Sequence, residues 1–347
     1  MQNFLSVRSE IENVSNQNKL LSICILSYNQ VEEIERLLIS LQNQYTNDLE
    51  ILMRDDSTND ETKELVEKYS IKIPITYYKG VKEGIDNTVI FLTRKAVGKF
   101  IWWMGDDTIE PEGVAEVLNV IKTYPNVNFI WANCQIYNTN ILAINIKSGS
   151  GPIDKNELLK LGGAGLGFIS ATIFEREMGL KALPRAEKYI GSLFTNLYIV
   201  MYVISKSYGC YYLRGPIVMN YPTTSEEIKK LVIKSDGKIE NRGFEVYGIT
   251  LPDIIREFSK DFMLDVIDKV IKTSFRSAWQ GMYVGWIGGW DTPQGKKMKL
   301  FKNYWQYPSA YLAIVLLSLP VSINKKLYIV FKYIKTYKFR RHMQNRY

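Results

Sequence analysis

Through the first 135 residues, short apolar runs alternate with stretches whose apolar positions repeat at helical spacing. Leu20–Leu26 (LLSICIL) is a continuous apolar run of strand length, broken by Ser27-Tyr28-Asn29. Ile34, Leu37, Leu38 and Leu41 then fall at i, i+3, i+4 and i+7, one face of a helix. Asn29 followed by Glu32 resembles a capping box at its start. Leu49–Met53 predicts a second strand, closed by Asp55-Asp56, and a helix follows from about Asp60 to Tyr69. Ile75–Tyr78 reads as a third strand and Asp86–Ala96 as a helix. Phe100–Met104 reads as a buried strand closed by Gly105-Asp106-Asp107. Pro111 suits the first turn of a helix reaching about Tyr124, and Val127–Cys134 is the next strand.

Strands alternating with helices predict an α/β fold: right-handed crossovers and a mostly parallel, Rossmann-like sheet flanked by helices. Ligands of such sheets bind beyond the C-terminal strand ends. The three polar clusters, far apart in sequence, should therefore converge there. No GxGxxG or GxxxxGK[ST] loop follows any of these strands, so the phosphates of any bound nucleotide have to be neutralised in another way. Adjacent carboxylates at a strand end suggest a divalent cation bridging protein and diphosphate oxygens. An Asp-Asp pair after a strand is also commonly a turn or a cap. The order of the three clusters together is what favours a site.

Composition narrows the chemistry. At 347 residues, 46% hydrophobic and 23% charged, the chain has the profile of a folded protein. Cys24, Cys134 and Cys210 form no CxxC pair, so buried free thiols in a reducing compartment are expected. The one histidine, His342, lies near the C-terminus, which removes Ser-His-Asp and HExxH chemistry. A general base must be Asp or Glu, unless Lys or Tyr is tuned for the task. Residues 1–18 are polar and lack a secretory layout, so they read as a loose leader on a cytoplasmic protein.

Charge is unevenly placed. Of 44 Lys and Arg, twelve fall within Lys296–Tyr347, where no Asp or Glu occurs; the rest carries 32 basic against 36 acidic residues. This tail also holds the most apolar stretch, Ser309–Ile323, fifteen residues interrupted by Pro320. That is short of the roughly 20 residues a spanning helix needs. Tyr304, Trp305, Tyr307 and Tyr311 crowd its front edge, and basic residues flank it. Aromatics at headgroup level and cations facing anionic lipid predict an interfacial, peripheral membrane association. A buried C-terminal helix with a basic end is the plainer alternative. No nucleic-acid recognition module appears, so nucleic acid is not an expected partner.

The segments LSICILSYNQVEEIERLLISL, LEILMRDDSTNDET and GKFIWWMGDDTIEPEGV together resemble a family 2 glycosyltransferase of the GT-A fold. The wording WWMGDDTIEPEGV and NFIWANCQIY is most similar to the abequosyltransferase-like enzymes of bacterial O-antigen and capsule synthesis. The resemblance implies a nucleotide-sugar donor, a cation (Mn2+ or Mg2+), inversion at the anomeric carbon and a lipid-linked (polyprenyl diphosphate) saccharide acceptor. Ser27, Tyr28 and Asn29 would border the base, and Asp55 or Asp56 would accept a hydrogen bond from it, Asp56 preferred. Asp86 and Asn87 would open a helix beside the nucleotide, and Asp106 and Asp107 would hold the metal. Met104 stands where the family motif has a further Asp.

The second half is less legible. The resemblance places an acceptor-side acid near Glu187, the first candidate for the base, but Gly191-Ser192 replaces the expected Glu-Asp. Glu245 and Asp253 are weaker candidates. Arg185, Lys188 and Arg214 are candidates for the acceptor diphosphate on charge alone. Gly162–Gly167 (GGAGLG) suggests a mobile loop near the acceptor, Phe168–Phe174 a strand, and Trp279, Trp286 and Trp290 packing. Expected boundaries are a leader over 1–18, a catalytic domain over 19–225 with nucleotide and acceptor halves meeting at 135, and a helical region over 226–347. A sugar nucleotidyltransferase and a non-catalytic glycan-assembly protein at the membrane are the alternative readings.

Overall fold

The structure, a computed structural model, describes residues 19–144, 149–221, 245–287 and 297–329. The leader over 1–18, Trp290 and the tail beyond residue 329 lie outside that description, as do the Trp279 and Trp286 side chains. The described residues fall into two compact units, one within Met1–Pro222 plus Ile254–Val270, the other within Thr223–Asp253 plus Ile271–Tyr347.

The first unit follows the apolar pattern closely. Strand β1 (Leu21–Ser27) is buried at every position, as a run without polar alternation requires when both sheet faces are covered. Helix α1 (Val31–Gln42) buries Ile34, Leu37, Leu38 and Leu41, the face that the spacing predicts. The expected capping box does not form. Gln30 is the N-cap without a side-chain bond. Asn29 takes a left-handed φ of 51°, which turns its side chain toward another turn, where Oδ1 accepts the Thr58 N–H at 3.0 Å. The elements continue with β2 (Leu49–Asp55), α2 (Glu61–Tyr69), β3 (Thr76–Lys79), α3 (Ile85–Lys95), β4 (Phe100–Met104), β5 (Thr108–Ile109), α4 (Gly113–Thr123) and β6 (Phe129–Ile136). Next come β7 (Gly151–Ile153), α5 (Lys155–Gly162), β8 (Thr172–Glu175), α6 (Arg176–Ala186), α7 (Thr195–Lys206) and β9 (Cys210–Asn220).

One sheet runs β3-β2-β1-β4-β8-β6-β9-β5, with β7 on β9. Strands β1 to β4 pair in parallel. Strand β8 enters antiparallel between β4 and β6, so the far side of the sheet is mixed. Only the end of the expected Phe168–Phe174 strand extends, because two 3-10 turns, Gly163–Gly167 and Ile169–Ala171, precede it. The glycine-dense segment is thus a compact turn. Trp102, Trp103 and Trp131 are fully buried on this sheet and supply much of its core. Each such side chain contributes on the order of 2–3 kcal/mol by burial.

Helices α8 (Leu251–Glu257) and α9 (Leu264–Ile287) come next in the chain, and the second unit includes α10 (Lys297–Tyr304) and α11 (Pro308–Ser318). The Tyr304 ring lies 4.2 Å from that of Phe275, and its hydroxyl donates to the Tyr247 carbonyl at 2.8 Å. Helix α11 buries Ala310, Ala313, Leu316 and Leu317 and exposes Tyr311, Leu312 and Val315. Among the described residues, no helix is long and apolar enough to cross a membrane.

Candidate functional site

Register places the three turns at one sheet edge. Ser27 pairs with Asp55 and Asp55 with Lys79, while Met104 lies opposite Ile25. The chain therefore leaves β1, β2 and β4 at the same level, and hydrogen bonds join the turns. The Asp56 N–H donates to the Ser27 carbonyl at 3.0 Å. The Asn29 N–H donates to Ser57 Oγ at 2.8 Å. Gln30 Nε2 donates to Asp106 Oδ2 at 3.3 Å. Asn29, Asp56 and Asp106 belong to one patch.

The two carboxylates ending β2 differ. Asp55, with no exposure, accepts from the Tyr77 hydroxyl at 2.7 Å, the Ser57 N–H at 3.0 Å and the Ser57 hydroxyl. Burial, and then the bond to Asp55, hold the Tyr77 phenol well above its ordinary range, so it stays a donor. Asp56 accepts Arg54 Nε at 2.8 Å and Thr88 Oγ1 at 2.9 Å. Arg54 reaches on to Glu83 at 2.7 Å and lies over the Phe91 ring. Each Asp56 oxygen keeps a second lone pair, so the carboxylate is preorganised to accept a ligand N–H. Gly80 is required beside it, since a Cβ there would collide with Asp56 Oδ1. Tyr28 is half-buried, with the Lys82 ammonium 4.6 Å from its ring centre.

The Gly105-Asp106-Asp107 turn is held from the other half of the unit. Trp102 Nε1 donates to the Ser170 carbonyl at 2.8 Å, and the Gly105 N–H donates to Ser170 Oγ at 3.3 Å. Asp107, 1% exposed, accepts from Asn220 Nδ2 at 2.8 Å and from the Tyr221 N–H at 3.3 Å. Burial is the main cause that lifts its carboxyl to about 6, against the Ser170, Asn220 and Tyr221 bonds. Asp107 therefore faces protein donors, and Asp106 is the half-buried carboxylate at the rim. Met104 is fully buried in the core and supplies no oxygen. Among the described residues no group of three or more His, Cys, Asp or Glu could hold a metal ion. The donor set fits a hard cation that takes one carboxylate and completes its shell with diphosphate and water.

The remaining expected residues are dispersed. Asp86, 3% exposed, accepts the backbone N–H groups of Gly191, Leu193 and Thr195. Asn87 Nδ2 donates to the Glu83 carbonyl at 2.9 Å. Glu187 pairs with Arg94 at the surface. Arg94 lies eight residues beyond Asp86, about 12 Å further along α3, so this carboxylate stands off the gathered turns. Glu245 and Asp253 belong to the second unit. Arg185 pairs with Glu257 at 3.1 Å.

Sequence reading missed Gln30, Arg54, Tyr77, Thr88, Ser170 and Asn220. Arg54 left a trace, a charge inside an apolar strand, which demands a buried partner. Ser170 and Asn220 left none, because their partners lie 65 and 113 residues away.

The parallel β1–β4 core with polar turns at its C-terminal edge is the GT-A architecture. TarS of Staphylococcus aureus in complex with UDP-GlcNAc superposes with a TM-score of 0.60 at 13% identity, covering 84% of this chain and 81% of that one. A mannosyltransferase of Pyrobaculum calidifontis in complex with GDP-Man and Mn2+ gives 0.50 at 12% identity, covering 85% and 84%. Residues 22–170 match the profile of Glycosyl transferase family 2. Among curated relatives, an uncharacterized glycosyltransferase of Haemophilus influenzae is 29% identical over 49% of this chain and 60% of its own length. Abequosyltransferase RfbV of Salmonella typhimurium is 25% identical over 58% of this chain and 66% of its own. The Escherichia coli glucosyltransferase WfgD, named as acting on a diphosphoundecaprenol-linked GlcNAc, is 29% identical over 42% and 57%. The match thus spans about two thirds or less of each relative's length.

Proposed function

We propose that this protein transfers a sugar from a nucleotide-sugar to a hydroxyl of a polyprenyl-diphosphate-linked saccharide in surface polysaccharide synthesis. The observation that carries the reading is the hydrogen-bonded meeting of the Asn29, Asp56 and Asp106 turns at one strand edge. Tyr28 and Asp56 receive the base, Asp56 as acceptor of a ring N–H. Asp106 holds the cation, Mn2+ or Mg2+. When bound, that ion neutralises charge growing on the leaving diphosphate. Attack by the acceptor hydroxyl from the opposite face inverts the anomeric carbon, with its proton passing to a carboxylate base. The names of WfgD and of the nucleotide-sugar-bound TarS support these substrate classes.

The second unit supplies membrane contact in this reading. Tyr311, Leu312 and Val315 are each more than half exposed on α11 and Trp305 is 58% exposed. Lys302, Lys325 and Lys326 accompany them, in a segment without acidic residues. Such a surface suits the anionic cytoplasmic face, where the acceptor is anchored.

A thermal-shift screen of UDP, GDP, CDP and dTDP with and without Mn2+, followed by transfer of labelled sugar to a lipid-linked acceptor, tests the assignment. One nucleotide raises the melting temperature and Mn2+ enlarges the rise. Absence of any nucleotide response removes the donor site.

A further inference from the structure

The first turn of α3 makes hydrogen bonds in two directions. Thr88 donates to Asp56 on the nucleotide side at 2.9 Å. Two residues earlier, Asp86 Oδ2 accepts the Gly191 N–H at 2.8 Å and the Leu193 N–H at 3.0 Å, and Oδ1 accepts the Thr195 N–H at 3.2 Å. Thr195 begins α7, whose own N-cap, Phe194, makes no side-chain cap bond. The first N–H groups of a helix need acceptors, and Asp86 supplies one from 109 residues away. It also fixes a loop that the backbone alone resists at Leu193, which is not a glycine and has φ +65°, while Gly191 takes φ +86° freely.

That loop has a defined place. Through Asp86 it adjoins the turn carrying Asp56. Through Asn196, whose Nδ2 donates to the Gly167 carbonyl at 2.7 Å, it adjoins the segment whose Ser170 holds the Gly105 turn. It therefore bridges the nucleotide and diphosphate turns, and it exposes Ile190 and Leu193.

We infer that Asp86 is a positioning residue that holds the 190–194 loop as the acceptor-side wall of the site, rather than a nucleotide ligand. This rests on the glycosyltransferase reading for the word acceptor, and on geometry alone for the loop. Alanine at 86 would leave the Gly191, Leu193 and Thr195 N–H groups without this acceptor, so the loop loses its anchor while Thr88 and Asp56 keep theirs.

Amide hydrogen exchange across residues 188–197 without ligand tests the anchoring. Asp86→Ala should speed exchange of the Gly191, Leu193 and Thr195 amides about tenfold or more. Unchanged protection overturns the inference. In kinetics, Asp86→Ala should raise the acceptor KM at least about tenfold while the affinity for UDP with Mn2+, or for whichever diphosphate the wild type binds, stays within about twofold. A matching loss of nucleotide affinity overturns it by returning Asp86 to the donor site. Gly191→Val disturbs the loop with α3 intact, so it keeps the test open should Asp86→Ala not fold. It should give the same split, and the double variant should be no worse than either; additive losses count against a shared role. A wild type that binds no nucleotide sinks the proposed function but leaves the exchange result standing.

Discussion

The side of the first unit that the proposed function gives to the nucleotide and the side it gives to the acceptor are built differently. On the nucleotide side, parallel strands of apolar residues end level with one another, and neighbouring turns bond across separations of 28 and 29 residues, Asn29 to Ser57 and to Thr58. On the acceptor side, single buried carboxylates reach across 105 to 114 residues, Asp86 to the 191–195 backbone and Asp107 to Asn220 and Tyr221. The first design repeats a local rule at each strand. The second hangs a loop or a turn on one side chain, so one substitution there displaces a whole segment.

Variants can break that contrast in order of expected effect. Asp106→Ala should lower kcat by about 10³-fold, by loss of the cation's protein donor, with the melting curve of the ligand-free protein little changed. Steady-state transfer at saturating Mn2+ measures it, and near-normal turnover would take Asp106 out of the site. Arg54→Met should destabilise by about 3 kcal/mol, because Asp56 keeps its buried charge and loses its guanidinium partner. Urea unfolding reads this out; a loss under about 1 kcal/mol would mean that water substitutes for Arg54.

Asp107→Asn sharpens the comparison through pH. The folded carboxyl titrates near 6, above the ordinary carboxylate value, so the folded state holds its proton more tightly than the unfolded chain does. Stability from this group is full below about pH 4 and is lost as pH rises through 6. In EDTA at pH 7.5, Asp107→Asn should therefore be more stable than wild type by on the order of 2 kcal/mol, with the gain shrinking below pH 5. Equal melting at both pH values would mean that Asn220, Ser170 and the Tyr221 N–H fully compensate the burial. The smallest effect falls in the second unit. Leu312→Ser should weaken sedimentation with anionic vesicles about tenfold and leave urea unfolding unchanged, since its side chain is half exposed. Unaltered vesicle binding would move the contact away from α11.

Much of the nucleotide side was readable in advance. LLSICIL, LEILM and FIWWM can bury on both faces only as central strands, and polar residues must cluster where such strands end. Glu187 shows where reading stopped: a carboxylate in a plausible segment, which the fold spends on Arg94. Asn29 shows the same limit at short range, since a left-handed backbone carries its amide away from the helix it was expected to cap.

What the chain by itself determined is periodicity: which stretches bury both faces, which bury one, and hence where three turns emerge. What only the tertiary structure decided is the partner of each buried carboxylate. Burial makes a charged group take whatever donors the fold brings within about 3 Å. For Asp86 and Asp107 most of those donors arrive from the end of β9 and from the loop that leads into α7, more than a hundred residues on, where no local spacing points to them.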